Sequence, residues 1–301
     1  MATAIDVRGV SRRYGSTTAL DDVSVTFEQD IIHGLLGRNG AGKTTLMSII
    51  TAQDWPSAGQ VEVFGQTPHE NEKVLPRICF VREEQRYMDD ALAKHAFQAA
   101  RDAFPHWDQQ FAEQLIREFR VPEKTRIKKM SRGQRSAVGV IIGLASRAEV
   151  TFFDEPYMGL DAVARQLFYD RLLQDYAEHP RTIVLSSHLI DEIAHLIENV
   201  VVIDHGRIML DESVDELRGK AVTLVGHADS VEEITADKEL LHHETMGRMA
   251  RATVLGPLTE AERRRVAELD LDLVPVSLQQ LVVHLTSRED QRQTQNEEAA
   301  R

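Results

Sequence analysis

Short apolar runs alternate with helical stretches from Ala4 to about Leu210. Ile31–Leu36 (IIHGLL), Val150–Phe153 (VTFF), Thr182–Leu185 (TIVL) and Val200–Ile203 (VVVI) are continuous β-branched runs, and each leads into a glycine turn, a helix or both. That pattern predicts buried parallel strands in β-α units. Val23–Phe27 and Val61–Phe64 alternate apolar with polar residues, as strands with one wet face do. Between Glu83 and Met130 the period changes. Ala91–Arg101 and Gln109–Phe119 repeat at helical spacing, which predicts a helical insertion over about residues 84–130. After Asp211 the chain becomes strongly charged. Ala221–Gly226, Ala250–Leu255 and Leu271–Val276 read as strands there, and Val231–Asp237, Thr259–Leu269 and Ser277–Leu285 as helices. The expected division is a large α/β domain over 1–218, a small α+β module over 219–286, and a polar, disordered tail over 287–301.

Composition narrows the picture. The chain has 301 residues, 42% hydrophobic and 28% charged, enough to bury a core without covalent or metal staples. Cys79 is the single cysteine, so no internal disulfide can form, and it reads as a small buried apolar residue of a protein kept in a reducing cytosol. A net charge of -13 disfavours a broad nucleic-acid-binding face. The N-terminus, MATAIDVRGVSRRYG, lacks the apolar core of a signal peptide. No run approaches the roughly 18–20 apolar residues of a membrane span, so a transport role needs a separate membrane partner. The adjacent His242 and His243 read as a solvated pair.

Gly37-Arg38-Asn39-Gly40-Ala41-Gly42-Lys43-Thr44 matches the G-x-x-x-x-G-K-[ST] phosphate loop, between the run Ile31–Leu36 and the helical stretch Thr45–Ile50. Backbone N–H groups of such a loop turn inward around phosphate oxygens, and the following helix presents its positive end. Lys43 is expected to neutralise the β- and γ-phosphates, and Thr44 to hold Mg²⁺ through its hydroxyl. The strand Val150–Phe153 runs into Asp154-Glu155-Pro156, which places Asp154 at the sheet edge as a second Mg²⁺ contact. Glu155 is then suited to orient or deprotonate the attacking water. Thr182–Leu185 ends in Ser186-Ser187-His188, and a histidine there can approach the γ-phosphate.

Together these segments resemble the ATP-binding cassette (ABC) family of ATPases. Met130-Ser131-Arg132-Gly133-Gln134 is similar to that family's L-S-G-G-Q signature, and Gly159-Leu160-Asp161 resembles its D-loop. Tyr14 matches the aromatic position that stacks on adenine. The resemblance covers about residues 4–215. It implies an α/β P-loop NTPase cassette, with a RecA-like core, an antiparallel β subdomain and a helical subdomain, followed here by the small α+β module. It also implies two cassettes paired head to tail around two ATPs, with Ser131, Arg132, Gly133 and Gln134 acting in trans on the nucleotide held by Gly37–Thr45 of the partner. Whether the pairing is with itself or with a different cassette stays open.

Three departures from the family pattern stand out. Arg132 replaces the signature's first glycine, and Tyr157 follows Asp154-Glu155-Pro156 where the family usually has Thr or Ser. In Arg77–Gln85, which resembles the strand leading to the Q-loop glutamine, strand register puts Glu83 at the Mg²⁺-contacting position, with Gln85 as the alternative. Val274–Val282 is similar to the closing helix of bacterial multidrug or bacteriocin exporter ATPases. The implied protein is an ATP-hydrolysing subunit at the cytoplasmic face of the membrane, driving a separate permease, with export favoured over import. Arg86, Tyr87, Phe97 and Trp107 in the helical insertion are candidate permease contacts. The alternative is a soluble ABC ATPase acting on ribosomes or DNA, which one cassette without a sustained heptad repeat disfavours.

Overall fold

A computed structural model describes residues 2–83 and 85–283. The expected tail over 287–301 therefore lies outside the described residues. The described residues divide into two units, one ending at Asp211 that takes in the chain up to His188 and Leu196–Asp211, and one made of Leu189–His195 and the chain from Glu212 onward.

The first unit opens with β1 (Thr3–Tyr14) and β2 (Thr17–Glu28), an antiparallel pair. Next come β3 (Ile32–Leu36), α1 (Lys43–Ile50) and β4 (Ala58–Val63). β4 pairs with β1 to complete a three-stranded sheet of order β2-β1-β4. The Val61–Phe64 run stops at Val63, because Phe64 turns to a left-handed φ of 51°. After β5 (Ile78–Val81) the helical insertion follows as α2 (Ala93–Ala103) and α3 (Gln109–Glu118), and it leads into α4 (Arg132–Ser146). Then come β6 (Val150–Asp154), α5 (Ala162–Glu178), β7 (Thr182–Ser187), β8 (Asn199–Asp204) and β9 (Arg207–Ser213), while α6 (Ile190–Ile193), between β7 and β8 in the chain, groups with the second unit. The main sheet has the order β5-β6-β7-β3-β8-β9. β5, β6, β7, β3 and β8 run parallel. Every residue of β3, β6 and β7 is buried, as strands covered on both faces require. β8 and β9 are joined by His205-Gly206, both at positive φ, as a two-residue hairpin needs.

The second unit contains α7 (Val214–Gly219), β10 (Ala221–His227), α8 (Ala228–Thr235), β11 (Leu240–Met246), β12 (Met249–Leu255), α9 (Glu260–Glu268) and β13 (Asp272–Val274). Its four-stranded antiparallel sheet has the order β11-β12-β10-β13. Leu224, Val231, Ala252, Val254 and Val266 form its core. The sequence reading misses β11 (LLHHETM), because this edge strand is wet along nearly its whole length and shows no alternation. His242 and His243 lie on it, exposed. Residues 278–283 are helical.

Residues 212–218 group with the second unit. Ser213 caps α7 through a reciprocal box with Glu216, Val214 and Leu217 are buried, and Glu212 forms an ion pair with Lys220 at the start of β10. This local structure fastens 212–218 to the second unit. Leu189–His195 also belongs there, and Asp191 Oδ1 accepts a 3.3 Å bond from the Gln279 N–H.

Candidate functional site

Strand register brings the polar ends together. Leu36 pairs with Ser187, and Ser186 with Asp154, so β3, β7 and β6 end at one level. The carboxyl ends of parallel strands are where open α/β sheets bind ligands. The loop 37–42 leaves β3 here and turns into α1. Gly42 precedes the helix at φ 112°, where a Cβ would lie 2.8 Å from the Ala19 carbonyl oxygen, so the turn requires glycine. Arg38, Asn39, Gly40, Ala41 and His188 line a cleft of about 600 Å³. Thr45 is half-buried on the first turn of α1.

Lys43 is buried, and its Nζ donates to the carbonyls of Gly37 at 2.7 Å and Arg38 at 3.3 Å. The same atom lies 3.4 Å from Glu155 Oε1. Thr44 Oγ1 donates to Asp154 Oδ2 at 2.6 Å. Ser186 Oγ donates to Asp154 Oδ1 at 2.7 Å and accepts from the Glu155 N–H at 2.9 Å. One serine thus fixes both carboxylate residues, and it holds Glu155 at a left-handed φ of 48°. Glu155 Oε2 receives the Tyr157 hydroxyl and lies 3.0 Å from His188 Nδ1. Tyr157 is buried, and burial together with the bond it donates to Glu155 pushes its phenol above its ordinary range. Sequence reasoning assigns no role to Ser186 or Tyr157, although both stand inside motifs it singles out.

The donors fit the groups that the fold implies. Thr44 and Asp154 supply only oxygen, and among the described residues no cluster of three His, Cys, Asp or Glu side chains forms an all-protein metal cage. That set suits Mg²⁺, which is held by one or two protein oxygens together with phosphates and water. The 37–44 loop and its buried lysine suit the phosphates themselves.

The remaining sequence-predicted residues are placed as follows. Tyr14 ends β1 and is 47% exposed. Its hydroxyl binds Asp54, and the Arg12 guanidinium lies 4.5 Å from the ring centroid. Glu83 and Gln85 share a cleft of about 590 Å³ with Thr44 and Asp154. Glu83, however, is engaged by Arg132, whose Nη2 lies 2.8 Å from its Oε1. Ser131 and Gln134 form a capping box at the start of α4, with bonds of 3.2 Å and 3.1 Å. Gly133 packs so closely on the D-loop that a Cβ would lie 2.8 Å from the Gly159 carbonyl oxygen. Leu160 is buried, and Asp161 caps α5 by accepting from the Ala164 N–H at 2.8 Å. Of the candidate permease contacts, Phe97 is buried, Tyr87 and Trp107 are half-buried, and Arg86 is exposed.

Residues 20–158 match the ABC transporter family. The chain is 30% identical to the doxorubicin resistance ATP-binding protein DrrA of Mycobacterium tuberculosis, covering 72% of this chain and 68% of that one. It is 28% identical to the bacitracin transport ATP-binding protein BcrA of Bacillus licheniformis, covering 72% of each. Among solved structures, an ATP-binding subunit of an ABC transporter superposes with a TM-score of 0.64 at 22% identity, over 72% of this chain and 92% of that one.

Proposed function

The chain belongs to the ABC transporter family of ATP-binding subunits, and on that premise we propose that its ATP hydrolysis powers export through a separate membrane protein. Among the described residues no helix is long and apolar enough to cross a membrane, and in this reading the pathway is supplied by the separate membrane protein. Export is favoured because the similar chains include one named for bacitracin transport and one named for doxorubicin resistance. The subunit would work at the cytoplasmic face of the membrane, as one of two cassettes.

The observation that carries the catalytic reading is the meeting of Lys43, Thr44, Asp154, Glu155 and His188 at the ends of three parallel strands. In this reading Lys43 would leave the loop carbonyls for phosphate oxygens, and Thr44 and Asp154 would hold Mg²⁺, whose positive charge would offset the negative charge of the phosphates. Glu155 takes the proton of the attacking water, and His188 faces the γ-phosphate. Tyr14 stacks on adenine. Ser131 and the N-terminus of α4 meet the γ-phosphate bound by the opposite cassette, so hydrolysis loosens the pair. Glu83 would supply a further oxygen to the metal, and one of its carboxylate oxygens is held by Arg132.

The test is Glu155→Gln. It should lower turnover by at least about 100-fold, the scale of a lost general base, while ATP still drives dimer formation on size exclusion. Purified from solubilised membranes with ATP, this variant should retain a multi-span membrane protein. Unchanged turnover would refute the assignment of Glu155.

A further inference from the structure

We propose that Tyr157 is a positioning residue for hydrolysis, holding one oxygen of the Glu155 carboxylate so that the other faces the attacking water. This rests on the reading of Glu155 as the base.

The carboxylate is asymmetric. Oε2 receives the Tyr157 hydroxyl and has His188 Nδ1 at 3.0 Å. Oε1 accepts no hydrogen bond among the described residues and faces Lys43 Nζ at 3.4 Å. Once Lys43 turns to phosphate, Oε1 is the basic oxygen left without a partner, on the side of the phosphate loop.

The two groups on Oε2 differ in how firmly they are held. Tyr157 is 2% exposed, and its hydroxyl is also 2.9 Å from Ser187 Oγ at the end of β7. Its anchor thus spans two strand ends. The His188 side chain is 34% exposed and needs its ring for the γ-phosphate. When His188 turns away, Tyr157 remains the donor that fixes the carboxylate. The raised pKa of the phenol means that it keeps its proton and stays a donor.

Tyr157 therefore neither gains nor loses a proton. Glu155 Oε1 takes a proton from water as the water oxygen bonds to the γ-phosphorus. The bond from that phosphorus to the bridging oxygen breaks, and its electron pair leaves with ADP. Glu155 then returns its proton to solvent.

The experiment compares steady-state phosphate release and binding of a fluorescent ATP analogue for the full chain, Tyr157→Phe and Glu155→Gln. Phenylalanine keeps the ring and removes only the hydroxyl. Tyr157→Phe should lower kcat about 10-fold, with KM and analogue affinity within about twofold, since a positioned base is worth roughly 10²–10⁴-fold and only part of that is lost. Equal kcat for Tyr157→Phe and wild type, with Glu155→Gln inactive, would overturn this proposal and leave the base assignment standing. A parallel fall in kcat and nucleotide affinity would also overturn it, because that marks a structural role. Turnover surviving in Glu155→Gln would overturn both readings. Should Tyr157→Phe fail to fold, Ser187→Ala decides: a threefold or larger fall in kcat at unchanged KM supports the proposal, and an unchanged kcat defeats it.

Discussion

His33 is fully buried in β3, and its ring meets Phe27 edge-on with centroids 5.2 Å apart. Its Nε2 donates to the Glu28 carbonyl at 3.0 Å, while Nδ1 has no hydrogen-bond partner among the described residues. Burial pushes its pKa below the ordinary imidazole value, only partly offset by that bond. The unfolded chain therefore binds a proton here that the folded one refuses, and the stability contributed is present above about pH 6.5 and lost as pH falls below it. We expect the melting temperature to drop between pH 7 and pH 5, and His33→Asn to flatten that slope in a thermal scan. An identical slope in the variant would assign the effect elsewhere. At this scale the sequence is legible where chemistry requires a fixed spacing, as in 37–44 and 154–155. Ser186 is not legible, because its work is a bridge between strands that depends on register.

At the scale of elements, two departures from the family pattern pair with each other. Glu83 follows β5 and Arg132 opens α4, and their ion pair ties the metal-side loop to the signature helix. Both side chains are substantially exposed, so the pair should add less than about 1 kcal/mol to stability. Its effect should appear instead as compensation in turnover. Glu83→Gln leaves Arg132 unpaired beside the signature, and Arg132→Gly frees Glu83. We expect Glu83→Gln alone to lower kcat more than the double variant does, and a double-mutant cycle on phosphate release measures this directly. Independent effects would show that the contact is incidental. The parallel strands were readable because burial on both faces writes a continuous apolar run. β11 was unreadable for the opposite reason, since water on nearly all its length leaves no period to detect.

Across the whole molecule, the alternation of strands and helices announced parallel β-α units and the ordered motifs announced the cassette, whereas the division into two units depends on contacts distant in sequence. Ile190 and Ile193 of α6 are buried, and Asp191 between them accepts from the Gln279 N–H. Truncation after Pro275 removes Gln279 together with the buried Leu278, Leu281 and Val282. We expect a melting temperature lower by several degrees and reduced ATPase activity, because α6 starts two residues after His188. Full activity in the truncated chain would show that α6 needs no such support. The chain passes between the units at 188/189, 195/196 and 211/212. The smaller unit is thus sewn in rather than hung on the end: one cut at 211 strands a seven-residue stitch on the wrong side, and grafting the module onto another cassette would mean carrying residues 189–195 with it.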